Sequence, residues 1–398
     1  MKKQYNTQTN MVHEGQNRSA FGETSEALYL TSGYVYDSAE QAAARFAEEE
    51  DGYIYSRFGN PTVRMFETRM IALETGTCGH KLDARATATG MAAVTASMMS
   101  CVQAGDHIVA ARALFGSCRY VVETLLPRFG VDCTLVDGRD IQAWKAAMRP
   151  ETKMLFLETP SNPVLEIIDM RAVADLAHEN DALLVVDNVF ATPILQKPFE
   201  FGADIVVYSA TKHIDGQGRC LGGIIIGHEA YIHDTLANFL RQTGPSLSPF
   251  NAWVMVKALE TLALRVHAHC DNAEKLCDFL SAHKKIERVF YPADKAHPQH
   301  NLAMAQMQRG GNLIAFDIKG GKAEAFKLEN ALTIAKISNN LGDAKTLITH
   351  PATTTHFKLE EAAKHELGIS GASLRVSVGL EDGDDLLADF QQALAQLD

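Results

Sequence analysis

Ile205-Val206-Val207-Tyr208-Ser209-Ala210-Thr211-Lys212 is an apolar, β-prone run that ends in two hydroxyls and an amine. Upstream, Leu183-Leu184-Val185-Val186 leads into Asp187-Asn188, and Met154-Leu155-Phe156-Leu157 leads into Glu158-Thr159-Pro160-Ser161-Asn162-Pro163. Further apolar runs lie at 107–110, 131–136 and 222–226, and helical stretches such as Val121 to Phe129 and Met170 to His178 separate several of them. Short strands alternating with helices of this length predict parallel βαβ units and a sheet covered on both faces. Ligands of such sheets sit beyond the carboxyl ends of the strands. There the three runs bring an amide, a carboxylate and an amine with two hydroxyls to one edge.

Residues 1–60 read as an irregular arm with turn residues and aromatics but little period. Asn60-Pro61 starts a helix, because Asn caps and Pro is tolerated at the first helical position. Val63, Phe66, Met70 and Leu73 follow at helical spacing, and Gly76 stops it. After Pro249 a long helical segment runs to about Ala282 and links two domains. Strand-like runs at 312–318 and 373–378 and a helix over 382–397 make the remainder a smaller α/β domain. The expected division is an arm at 1–60, a large ligand-binding domain at 61–256 and a small C-terminal domain at 257–398.

The 398 residues are 46% apolar and 22% charged, an ordinary globular balance. A net charge of -12 with no basic run interleaved with aromatics gives no support for nucleic-acid binding. The polar stretch Met1 to Ser19 lacks the apolar core of a secretory signal, and no run approaches the roughly 18 apolar residues of a membrane span. Seven scattered cysteines without C-x-x-C spacing fit a reducing, cytoplasmic setting and no disulfide framework. His267, His269 and Cys270 are close in sequence, but i, i+2 neighbours on a helix point apart, and no metal is expected.

The three strand ends suit pyridoxal phosphate. A buried carboxylate keeps the pyridine nitrogen protonated and the ring an electron sink. A lysine amine forms the Schiff base and shuttles protons, and hydroxyls with helix-start amides hold the phosphate. Taken alone, Asp187 reads more readily as a cap or turn residue, and a lone Lys212 as a solvated surface group; together they favour chemistry. Thr89-Gly90-Met91 opens an apolar-periodic helix, where a glycine lets N–H groups approach an anion, although plain capping explains it equally. Gly216-Gln217-Gly218 through Gly222 is not a dinucleotide fingerprint: its third glycine falls one place late and it follows Thr211-Lys212 rather than a first strand. Arg375, opposite Leu374, Val376 and Val378, is placed either to clamp a carboxylate or to lie on the surface of an edge strand.

Over nearly its whole length the chain resembles the Cys/Met-metabolism family of pyridoxal-phosphate enzymes, with the aspartate-aminotransferase-like (type I) α/β fold. The resemblance is carried by Tyr55-Ser56-Arg57 before Gly59-Asn60-Pro61-Thr62, by Thr89-Gly90-Met91-Ala92-Ala93, Glu158-Thr159-Pro160-Ser161-Asn162-Pro163, Asp187-Asn188, Ser209-Ala210-Thr211-Lys212, Leu341-Gly342-Asp343 and Leu374-Arg375-Val376-Ser377-Val378-Gly379. It implies that Lys212 is the Schiff-base lysine and that Asp187 pairs with the ring nitrogen. Gly90, Met91, Ser209 and Thr211 are then the phosphate ligands, and Asn162 contacts the ring oxygen and the substrate. Arg375 holds the substrate α-carboxylate. It also implies that Tyr55 and Arg57 reach the phosphate of a neighbouring subunit, with Tyr55 assisting catalysis and substrate binding, in a homo-oligomer that is usually a tetramer, a dimer of dimers.

In one place the chain departs from the family pattern. Leu114-Phe115-Gly116-Ser117 supplies Phe115 where many members stack a tyrosine on the cofactor ring. Phe115 can stack but has no phenolic proton for a leaving group. With the Asp215-Gly216-Gln217-Gly218-Arg219-Cys220 stretch, this implies a transferase of the sulfhydrylase branch, which makes homocysteine from O-succinylhomoserine (or the acetyl ester) and sulfide. The alternatives are a cystathionine γ-synthase using cysteine, a γ-lyase, or a non-catalytic cofactor-binding regulator.

Overall fold

Each apolar run read between residues 107 and 228 folds as a strand in the computed structural model, which describes residues 5–397. Residues 1–4 of the expected arm and residue 398 of the expected C-terminal domain lie outside the described residues. The strands are β1 Leu82–Thr87, β2 His107–Ala111, β3 Asp132–Val136, β4 Thr152–Glu158, β5 Leu183–Asp187, β6 Ile205–Ser209 and β7 Gly223–His228, in the order β1-β7-β6-β5-β4-β2-β3. Only β7 runs against its neighbours. Alternate residues of one strand feed two separate cores: Leu155, Leu157, Leu184, Val186 and Val206 pack on one face, and Met154, Phe156, Val185, Ile205 and Val207 on the other. This period of two is why the strands read as continuous apolar runs.

A second sheet contains β8 Ile286–Phe290, β9 Leu313–Ile318, β10 Lys336–Ile337, β11 Leu347–Thr349 and β12 Ser373–Ser377, in the order β10-β11-β12-β9-β8. Its core is built by Ile314, Phe316, Leu374, Val376, Val378 and Phe390 among others.

The structure adds to these expectations and corrects some of them. The strand β1 carries no clean apolar period because Asp83 and Arg85 lie inside it; Asp83 is bridged there by Arg64 at 2.6 Å and Arg85 at 3.0 Å. The stretch 121–129 is wound as a π-helical turn, Val121–Leu125, then a 3-10 turn, Leu126–Phe129. Pro127 lacks the N–H that regular winding requires. The arm is not wholly irregular: Thr7–His13 and Ala39–Phe46 are helical, and Met11 is 2% exposed in the main core. The helix begun by Asn60 spans Pro61–Thr75 as expected, with Asn60 Oδ1 accepting from the Thr62 N–H at 2.9 Å.

The long segment after Pro249 is two helices, Pro249–Leu259 and Leu262–Ala282. Arg265 fills the break by donating to Ala258 O at 3.0 Å, while its other nitrogen donates to His213 O at 2.7 Å. The second helix joins both cores, with Leu262, Val266 and Cys270 in the first and Ala273, Leu276 and Leu280 in the second. His269, singled out by its neighbours, is turned inward onto Val378 O at 2.7 Å. Among the described residues no helix is long and apolar enough to cross a membrane.

Candidate active site

Strands β4, β5 and β6 are adjacent and parallel, with Glu158 in register with Asp187 and Asp187 with Val207. Their carboxyl ends therefore deliver Glu158, Asp187 and Ser209 to one edge, and the chain continues from β6 directly into Thr211 and Lys212. These residues line one cavity with Gly90, Met91, Phe115, Asn162 and Arg375. The second half of the molecule contributes Arg375, Asn339 and Leu341, so the cavity lies between the two sheets.

Lys212 Nζ donates to Asn340 Oδ1 and, among the described residues, has no carboxylate partner. Burial, helped by the nearby Arg375 charge, pulls its amine down to about 8. A lysine held there exchanges protons near neutrality, as an exposed one does not. Asp187 accepts one hydrogen bond, from the Val189 N–H at 3.1 Å, and burial raises its carboxyl above the usual range.

Arg375 is 2% exposed, so the edge-strand surface reading is wrong: β12 is internal, between β9 and β11. Its terminal nitrogens donate to Asn162 Oδ1 at 2.8 Å and Asn339 O at 3.1 Å. Its Nε is buried without a partner. A guanidinium fixed this way has a donor to spare for an anion entering the cavity.

The helix Gly90–Met99 starts against the end of β6, capped by Thr89 Oγ1 on the Ala92 N–H at 3.0 Å. A Cβ on Gly90 would lie 2.5 Å from Ser209 Cβ and 2.8 Å from Ser209 Cα. Only glycine allows the helix start so close to the strand. Free amide N–H groups of the first turn, the helix dipole and the Ser209 and Thr211 hydroxyls make an anion cradle. Together with the Lys212 amine, the Asp187 carboxyl and the unfilled Arg375 Nε, the residues fit pyridoxal phosphate and an amino-acid substrate.

Tyr55 and Arg57 are not brought to this cavity within one chain. Tyr55 is 42% exposed. Arg57 donates to Arg241 O, stacks on Phe58 and lines a separate depression with Arg85 and Glu67. Two polar residues of the cavity wall, Glu158 and Asn339, had no role in the sequence reading, nor had Asn340, which meets Lys212. Glu158 ends its strand just as Asp187 does, a signal that was available. The two asparagines lie in an aperiodic loop drawn in by Gly342, whose φ is +70° and whose N–H donates to Ser377 Oγ at 2.8 Å.

A model of the Cys/Met metabolism PLP-dependent enzyme family matches residues 8–395. The chain is 49% identical over 388 residues to an O-succinylhomoserine sulfhydrylase of Mycobacterium tuberculosis, covering 96% of this chain and 94% of that one. It is 41% identical to an L-methionine gamma-lyase of Porphyromonas gingivalis, covering 98% and 97%. Among solved structures, a putative O-acetylhomoserine (thiol)-lyase of Campylobacter jejuni bearing N'-pyridoxyl-lysine-5'-monophosphate superposes with a TM-score of 0.93 at 31% identity, covering 98% of this chain and 100% of that one. Pyridoxal phosphate is therefore the cofactor that this fold and cavity take.

Proposed function

We propose, on the premise that this chain belongs to the Cys/Met metabolism family of PLP-dependent enzymes, that it is a transferase catalysing γ-replacement in methionine biosynthesis. O-succinyl-L-homoserine and hydrogen sulfide give L-homocysteine and succinate: the γ-carbon–oxygen bond breaks and a γ-carbon–sulfur bond forms. The observation that carries this reading is the cavity itself, where a lowered-pKa lysine, a buried acid and a buried guanidinium meet. The 49% identity to the Mycobacterium tuberculosis sulfhydrylase supports the choice of reaction.

Bound pyridoxal phosphate supplies an electron sink for the carbons next to the substrate amine. The residues do the rest. Gly90, Met91, Ser209 and Thr211 would hold the phosphate, with Asp187 serving the ring nitrogen and Asn162 the ring oxygen. Arg375 binds and orients the substrate α-carboxylate, with Asn162 beside it. Lys212 Nζ removes the proton from the α-carbon and relays protons at the β-carbon. Phe115 covers the ring and has no acidic proton for the leaving succinate. Tyr55, exposed on its own chain, supplies that proton transfer in a second copy's cavity, and Arg57 reaches that copy's phosphate. The working unit is then at least a dimer, assembled as a tetramer. Seven scattered cysteines without C-x-x-C spacing support a reducing, cytoplasmic setting.

A second reading is favoured by the 41% identity to a methionine gamma-lyase. Incubation with O-succinylhomoserine or O-acetylhomoserine, with sulfide, cysteine or no thiol, separates the possibilities. Homocysteine formed with sulfide is the expected product. Cystathionine formed only with cysteine, or 2-oxobutanoate formed equally well without any thiol, refutes the proposal.

A further inference from the structure

Glu158 has no part in the reading above, yet it occupies the same cavity. It ends β4 beside Asp187 at the end of β5, in direct register. It is 1% exposed. Among the described residues neither carboxyl has an ion-pair partner: Lys212 is turned to Asn340, and the terminal nitrogens of Arg375 to Asn162 and Asn339. Two neighbouring carboxylates taken out of water without a cation in contact cannot both stay ionised at neutral pH without a large penalty.

Each acid accepts one backbone N–H, Asp187 Oδ1 from Val189 at 3.1 Å, so the burial of the second oxygen decides which is the poorer site for charge. Glu158 Oε2 accepts the Phe115 N–H at 3.0 Å, but Oε1 is buried with no partner. An anion there would leave half its charge on an oxygen with no donor. A proton on Oε1 replaces the cost of a buried anion with the smaller cost of a buried neutral hydroxyl and leaves the bond to Phe115 intact.

We propose that Glu158 is a positioning residue that stays protonated at Oε1, anchoring Phe115 through Oε2 and leaving Asp187 as the single anion at the ring nitrogen. Burial and the neighbouring Asp187 charge push the Glu158 carboxyl upward and outweigh the Phe115 and Asn162 N–H groups and the Arg375 charge, which pull it down. The inference rests on the proposed roles of Asp187 and Phe115. It adds a division of labour between two acids: one bears charge, and the other holds the wall of the cavity while remaining neutral.

The test uses the holoenzyme and its Glu158→Gln and Glu158→Leu forms. Glutamine copies the neutral acid, with an amide oxygen for Phe115 and no charge. The infrared difference spectrum of parent minus Glu158→Gln at neutral pH should contain a protonated-carboxyl C=O band. A carboxylate band in its place overturns the proposal. The apparent cofactor Kd, followed by absorbance on dilution, should stay within about threefold of the parent in Glu158→Gln and weaken about tenfold or more in Glu158→Leu. A tenfold loss in Glu158→Gln also overturns it, whether or not Glu158→Leu folds. Borohydride reduction and peptide mapping of the parent check the underlying reading separately. A pyridoxyl group found away from Lys212 defeats that reading, whereas the infrared band reports on Glu158 alone.

Discussion

The depressed basicity of Lys212 makes a quantitative prediction about cofactor capture. An ordinary lysine at 10.5 is neutral in about one molecule in three thousand at pH 7, whereas an amine at about 8 is neutral in about one in eleven. The nucleophilic form is therefore enriched roughly 300-fold. Burial is the larger cause and the Arg375 charge the second, and both disfavour the ammonium. Raising the pH thus deprotonates Lys212 earlier than an exposed lysine. Mixing cofactor-free protein with pyridoxal phosphate in a stopped-flow spectrometer should give a capture rate that climbs about tenfold per pH unit below pH 8 and levels off above it. Arg375→Leu removes one of the two causes, so its midpoint should move to higher pH without reaching 10.5. A profile flat from pH 6 to 10, or a parental midpoint near 10.5, refutes the assignment of a buried, charge-repelled amine at this position.

Gly90→Ala forces a methyl to 2.5 Å from Ser209 Cβ and 2.8 Å from Ser209 Cα, and must separate the helix start from β6. Cofactor affinity measured by fluorescence titration should fall about tenfold or more, roughly 1.4 kcal/mol. Phe115→Tyr supplies the missing phenol and should raise the ratio of 2-oxobutanoate to homocysteine in a product assay with sulfide; unchanged partitioning removes the phenol argument. Lys212→Ala and Tyr55→Ala should each abolish most turnover. Unfolding and refolding them together at equal amounts should restore about a quarter of parental activity, because half the dimers are mixed and each holds one intact site; no recovery would mean that Tyr55 serves its own chain.

The site-bearing strands were legible because their buried faces leave unbroken apolar runs, each ending where chemistry begins. Strand β1 was hidden because Asp83 and Arg85 satisfy one another locally, a pairing that periodicity cannot register. The interruption near Glu260 was hidden because the side chain that tolerates it, Arg265, lies in the following helix and the carbonyls it serves include one beyond Lys212. Arg375 stood in the right alternation, but only the observed neighbours of β12 decide between the surface and the interior. Gly90 and Phe115 were visible as residues, and their distances to Ser209 and Glu158 were not. Asn340 gave no signal at all: its meeting with Lys212 depends on a loop from the other half of the chain.

The guanidinium of Arg265 grips His213 O and Ile214 O, immediately after Lys212, from the first turns of a helix whose far end is embedded in the other core. One side chain thus ties the backbone just after Lys212 to a helix shared by both cores, so the packing of the smaller half bears on where that backbone sits.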